Sequence, residues 1–357
     1  MPSPLLPNPD AIEHSHSLFK RILQKIQQSH GFLPFDAYLE TVLYTPGLGY
    51  YMSGTARFGR EGDFITAPEI SPLFGFCIAE KLIPVLTTLS NPVILEVGAG
   101  TGKLARDILA HLEKSKISLS EYWILELSPD AKARQTKTLA PYLSKIKFLD
   151  RIPDNTFEGV ILGNEVLDAL PFSCYEVRGG QIFERGVGLE DHTLCFITRL
   201  SAISPPEGLD LARCPEGYLF EICHRLSPFL QALTHPLSAG ALLMIDYGHQ
   251  AHERYHPSRS LGTFQCHYRH HAHDNPFFYP GLQDITAHVD FTAVMDALAL
   301  EGFSAIHYQT QMQFLIENQI ESLIQIPPTP EQRNALRRLL LPELMGESFK
   351  VVYGLKH

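Results

Sequence analysis

Between residues 93 and 113 the chain passes from a short apolar strand, Val93–Val97, through Glu96-Val97-Gly98-Ala99-Gly100-Thr101-Gly102-Lys103 into a helical pattern over 104–113. With no side chains at 98, 100 and 102, the backbone there can approach a ligand closely. A phosphate-binding Gly-x-x-x-x-Gly-Lys-Ser/Thr loop would need glycine at 97 and Ser or Thr at 104, where Val97 and Leu104 stand. The dinucleotide fingerprint Gly-x-Gly-x-x-Gly would need glycine at 103, where Lys103 stands. What remains is Glu-x-Gly-x-Gly-x-Gly, with a purely structural strand-to-helix turn as the alternative.

The surrounding pattern predicts an α/β protein. Strands are expected at Val93–Val97, Tyr122–Leu127, Ile146–Leu149, Gly159–Leu162 and Ala241–Ile245, with helices over 104–113 and 129–139. Strands alternating with helices imply a doubly wound sheet. Upstream, a helix is expected from Ser17 to about Gln28 and another over 71–89, separated by a loop-rich stretch at 32–72. Residues 173–200 alternate apolar and polar around Gly179-Gly180 and read as an antiparallel meander. The histidine- and proline-bearing stretch 247–290 reads as a long functional loop. Two β-like runs, Ser304–Phe314 and Phe349–Leu355, flank a helix near Glu331–Leu341 and suggest a terminal antiparallel pair.

Composition removes other classes. A net charge of −10 argues against a dedicated nucleic-acid binder. The most apolar stretch, Leu73–Leu86, carries Glu80 and Lys81, so no membrane span is expected. The 6 cysteines are scattered with no Cys-x-x-Cys pair, as reduced thiols would be. The Pro-rich start, with Asp10 and Glu13 and no arginine before Arg21, lacks the marks of a signal peptide or presequence, and a cytoplasmic location is expected. His267, His270, His271 and His273 lack the repeated spacing of a zinc site, and no metal is expected.

The glycine loop resembles the first motif of class I S-adenosylmethionine (SAM) methyltransferases. In that reading Glu96 addresses the charged amino-acid end of the cofactor, and Glu126, at the end of the second strand, accepts hydrogen bonds from the ribose hydroxyls. A reversed last strand is a further point of resemblance that dehydrogenases lack. Five longer motifs are more specific: Tyr44-Thr45-Pro46-Gly47-Leu48-Gly49-Tyr50-Tyr51, Phe58 to Glu69, Gly163-Asn164-Glu165-Val166-Leu167-Asp168-Ala169-Leu170-Pro171, Asp246-Tyr247-Gly248, and Pro280 to Phe291. Together, in this order, they resemble the MidA-like methyltransferases, relatives of a mitochondrial arginine methyltransferase that assembles respiratory complex I.

The resemblance implies a class I Rossmann-like doubly wound sheet, mostly parallel with an antiparallel C-terminal strand, an N-terminal extension and an inserted β-rich subdomain. The expected divisions are an N-terminal region, 1–90, contributing to the cofactor site, a SAM-binding core, 91–172 and 236–357, and a substrate-recognition insertion, 173–235. Gly62, Asp63, Phe64 and Thr66 resemble the segment that folds over the cofactor, where an aromatic and a carboxylate suit a sulfonium. A rigid turn is the alternative for that segment.

Asn164, Glu165 and Asp168 lie just past the fourth strand, and a helix starting there would set Glu165 and Asp168 on one face. A pair of carboxylates is what an arginine guanidinium needs, since it stays protonated and is held best by bidentate acids. Helix capping by Asn164 is the plainer alternative. The resemblance also puts His270 and the Asp284–His288 run near the acceptor, where a histidine could take a proton. It implies methyl transfer to arginine in a protein substrate, with a respiratory complex I subunit as a candidate partner. A small-molecule methyltransferase and a non-catalytic SAM-binding assembly factor are the competing readings.

Overall fold

A computed structural model describes residues 7–53, 66–269 and 271–357. Its central sheet runs in the order Ser304–Thr310, Phe349–Lys356, Leu237–His249, Phe157–Asn164, Val93–Val97, Glu121–Leu125, Ile146–Leu149, with Val289–Asp290 added to the 237–249 strand. The five strands from 237–249 to 146–149 are parallel, and Phe349–Lys356 is antiparallel to both of its neighbours. This is the doubly wound sheet with a reversed terminal strand that the sequence pattern and the resemblance imply.

Alternation along Val93–Val97 fixes both layers. Val93, Leu95 and Val97 join a core with Leu230, Leu233, Val294 and Leu298 of helices Leu226–Thr234 and Phe291–Leu300. Ile94 faces the opposite core, built with helices Pro72–Leu86 and Lys103–Lys114. Both faces of the strand are therefore covered, which is why it reads as an uninterrupted apolar run.

A second sheet combines Ser173–Arg178, Gln181–Glu190, Thr193–Leu200 and Tyr218–Ile222 with the two residues Leu33–Pro34. It packs with the N-terminal helices Pro9–Gln28 and Phe35–Tyr44 around Phe35, Tyr38, Leu39 and Val187.

Several local expectations are corrected. The first helix begins at Pro9 rather than Ser17, because the Asn8 side chain accepts from Ala11 N at 2.8 Å and caps it. The stretch 32–72 contains the helix Phe35–Tyr44, whose buried Phe35, Tyr38, Leu39, Val42 and Leu43 follow a helical period that was present in the sequence. Ser304–Phe314 is not one strand. A reciprocal capping box between Thr310 and Gln313 ends the strand at Thr310 and starts the helix Gln311–Glu317. The stretch 247–290 holds a small sheet of Gln265–Tyr268, His271–His273 and Asp284–Thr286.

Candidate functional site

The sheet's strand order reverses at Val93–Val97 and Phe157–Asn164, and their register sets Val97 opposite Gly163. The glycine loop and Asn164 thus leave the sheet side by side, at the carboxyl edge where open α/β sheets take ligands. A cavity of about 860 Å³ opens there. Thr66, Glu96, Gly98, Gly100, Glu126, Asn164 and Glu165 all line it. Gly102 and Asp168 stand outside its wall. Gly62, Asp63, Phe64 and His270 lie outside the described residues.

On the glycine-loop side, Gly98, Gly100 and Gly102 have φ of 66°, 54° and 81°. These left-handed values strain any other residue. A Cβ on Gly100 would meet no atom within 4 Å, so it would project into open space, whereas one on Gly102 would press on Gln135 at 3.4 Å. Gly100 thus keeps its conformation and the cavity clear, while Gly102 makes the tight turn into the helix.

Buried Gln135 ties this half together. Its Nε2 donates to Gly100 O at 3.1 Å and to Glu126 Oε2 at 3.0 Å, while Ser128 N donates to Glu126 Oε1 at 2.9 Å. Glu96 is 2% exposed, accepts from the Tyr122 hydroxyl at 2.7 Å, and is pushed up to about 7 by burial. A carboxyl held that way regains its charge most readily beside a cation. Across the loop, Glu69 accepts from Thr101 Oγ1 at 2.5 Å and pairs with Lys103 at 3.4 Å. The lysine that rules out a dinucleotide fingerprint therefore fastens the loop to Ala67–Ile70.

The neighbouring wall is acidic. No helix starts at Asn164: Glu165 sits at φ 54°, and Val166 N, Leu167 N and Asp168 N converge on Asp246 Oδ2 at 3.1, 2.9 and 3.2 Å. The carboxylate of Asp246 takes up donors that would otherwise open a helix, so the one-face expectation for Glu165 and Asp168 is corrected to a loop folded on Asp246. The capping alternative for Asn164 fails with the helix; its Nδ2 instead donates to Glu165 Oε1 at 3.1 Å.

Burial first, then the charge of Asp168, pushes Glu165 up to about 8. Burial pushes Asp168 up to about 6, opposed by a hydrogen bond from Tyr247. Tyr51 donates to Asp284 Oδ1 at 2.6 Å and Tyr44 to Ala169 O at 2.8 Å.

Sequence reasoning missed Glu69, Thr101, Lys103, Gln135 and the rim pair Glu40–Arg225, at 2.8 Å. The helical period of 35–44 was the available signal for Glu40. Nothing local marks Gln135 or Arg225. Among the described residues no group of three or more His, Cys, Asp or Glu is arranged to hold a metal, and no helix is long and apolar enough to cross a membrane. The residues present fit SAM: a cavity of sufficient size, backbone opened by glycines, and a buried acid suited to a cationic group.

The model of a family described as S-adenosyl-L-methionine-dependent methyltransferase matches residues 77–309. The chain belongs to that family. Its cofactor is SAM. A solved structure from Burkholderia thailandensis bound to S-adenosyl-homocysteine is 38% identical with a TM-score of 0.93, covering 99% of this chain and 95% of that one.

Among curated proteins, a mitochondrial protein arginine methyltransferase NDUFAF7 homolog from Caenorhabditis elegans is 29% identical over 91% of this chain and 82% of its own length. The mitochondrial protein arginine methyltransferase NDUFAF7 of Bos taurus is 26% identical over 95% and 83%. These relatives overturn the expectation of a cytoplasmic location, since both are mitochondrial by name. The physical reason is plain: charge and proline near one end of a chain describe that segment, and a catalytic domain carries no address in its composition.

Proposed function

We propose that this methyltransferase acts on the guanidinium of an arginine in a protein substrate. One observation carries the reading: Asn164 and Glu165 line the cavity beside the glycine loop, with buried Asp168 close behind, so the acceptor wall presents one carboxyl backed by a second. A guanidinium is a planar cation with five donors, and a carboxyl group, which can accept two of them side by side, is its natural counterpart. The relatives named as arginine methyltransferases support the same reading.

In this reading Thr66, Glu96, Gly98, Gly100 and Glu126 hold the cofactor, and Gly102 shapes the loop. Roles for Gly62, Asp63, Phe64 and His270 rest on the sequence resemblance alone. When bound, SAM supplies a methyl group on a positively charged sulfur, made reactive before the protein acts. The chain's contribution is position and charge. Glu165, drawn into its ionised form by the arriving cation, concentrates the guanidinium's positive charge on the nitrogens it touches. The remaining nitrogen is left richer in electrons and aimed at the donor. As its bond to the methyl carbon forms and the sulfur–carbon bond breaks, one N–H proton passes to the acid wall. His224, Arg225 and Phe229, all within the expected insertion, line the same cavity and offer a docking edge for the substrate backbone. A respiratory complex I subunit is the partner to test first.

The test is transfer of isotopically labelled methyl from SAM to candidate proteins, with the modified residue identified by mass spectrometry. Methylarginine is expected. Glu165→Gln should lower transfer by on the order of 100-fold while S-adenosylhomocysteine affinity stays within about twofold, read by calorimetry. Label on lysine or on a small molecule, or equal loss of cofactor affinity in the variant, would overturn the assignment.

A further inference from the structure

Behind the acid wall lies a second cavity of about 50 Å³, where Asp168, Arg254, Tyr255, His288 and Asp290 stand among mostly apolar neighbours. Asp168 is 8% exposed and Arg254 5%. Among the described residues, Asp168 Oδ1, Arg254 Nε and His288 Nδ1 are buried without a hydrogen-bond partner. Such groups are costly unless something pairs them.

Their chemistry is complementary to one molecule. Arg254 Nε–H is a donor, ionised Asp168 Oδ1 is an acceptor, and Nδ1 of a neutral histidine is an acceptor. Water accepts one hydrogen bond and donates two in that arrangement, and a buried water needs two to four polar partners. The rest of the guanidinium is already fixed: Arg254 donates to His288 O, to Thr263 Oγ1 at 3.3 Å and to Glu221 O at 3.1 Å, and it pairs with Glu221 at 3.6 Å. It cannot swing away to satisfy Nε elsewhere.

We propose that this cavity holds a single water that ties Asp168 to Arg254 and His288, keeping Asp168 as the fixed negative charge behind Glu165. Arg254 and His288 are then positioning residues. The inference rests on the arginine reading for its purpose, although the water site itself does not. Asp168 stays ionised while Glu165 exchanges its proton as the cationic acceptor arrives and leaves.

The groups around Asp168 are Tyr247 and Asp246 on the 237–249 strand, Glu165 on its own loop, Tyr44 and Tyr51 from the N-terminal region, and Arg254, Tyr255, His288 and Asp290 across the cavity. His288 is faced by His249, whose own pKa burial lowers, and by Arg254, Arg259 and Lys350, whose positive charges join burial in holding His288 neutral. A neutral ring is what the acceptor role requires.

The test combines a crystal structure of the S-adenosylhomocysteine complex with carboxyl-carbon NMR titration of Asp168 in the wild type, His288→Leu and His288→Asn. An ordered water within hydrogen-bond distance of all three atoms is expected. Leucine removes an acceptor, and the weakened water donates less to Asp168, so its titration midpoint should rise by about one pH unit. Asparagine keeps an oxygen near the place of Nδ1 and should restore the wild-type midpoint.

A dry cavity in the wild type, or a midpoint that neither variant moves, overturns the proposal; the wild-type density decides even if leucine impairs folding. None of these readouts uses a methyl acceptor. An intact water and titration with no arginine methylation would overturn the arginine reading alone.

Discussion

The two walls of the large cavity are built by different means. The glycine-loop wall comes mostly from one continuous strand–turn–helix–strand–helix unit, residues 93–135, closed by Gln135 on Gly100 and Glu126. The acid wall draws Asn164 to Asp168, Asp246 and Tyr247, Tyr44 and Tyr51, and Asp284 from four separated parts of the chain. Local geometry maintains the first wall; packing and burial maintain the second. The first should therefore fail through backbone conformation and the second through charge.

The largest effect should come from Gly100→Val. Its left-handed φ of 54° resists a β-branched residue, and the new side chain enters the cavity. S-adenosylhomocysteine affinity should fall by on the order of 100-fold, with Tm lower by only a few degrees. Calorimetry and thermal melts together check this, and unchanged affinity would erase the proposed distinction between the walls.

Gln135→Leu comes next. It removes both donors from the loop and Glu126, and affinity should drop about tenfold while transfer at saturating cofactor is retained. A drop in transfer alone would mean that Gln135 serves the acid wall instead.

The acid wall can be probed through pH. Glu165, raised by burial to about 8, binds a proton in the folded state that the unfolded chain has already lost. A raised acid therefore withdraws stability as pH climbs from about 4.5 toward 8. Glu165→Gln should accordingly gain stability relative to the wild type across that window, with little difference near pH 4. Melting curves of both proteins at several pH values measure the difference. A flat difference would mean that Glu165 is held ionised, and the wall would then act as a permanent charge.

The smallest effect is expected at the rim. Glu40 and Arg225 are half exposed, so their 2.8 Å pair is worth less than about 1 kcal/mol after screening. Arg225→Ala should shift Tm by under about 2 °C. A larger change in the substrate KM than in Tm would assign the rim to acceptor docking.

Much of this was legible beforehand, and the exceptions have causes. The strand Val93–Val97 and the strand Ile146–Leu149 stand where the apolar pattern puts them. Helix Phe35–Tyr44 was hidden by surrounding glycines and prolines although its apolar period was intact. For the acid loop the sequence left a helix start open, because Asn164 and two acids three apart look like a cap; the ligand that prevents it, Asp246, is 78 to 80 residues away.

By itself the sequence determined the strand-and-helix alternation, the open backbone at Gly98, Gly100 and Gly102, and the family, because these depend on periods and spacings within a few residues. Only the tertiary structure decided that Glu165 lines the cavity while Asp168 backs onto a second one. It also decided that Lys103 fastens to Glu69 and that Gln135 bridges loop to carboxylate. Those outcomes depend on burial and on which distant donor reaches which acceptor first, and neither quantity exists until the chain has closed on itself.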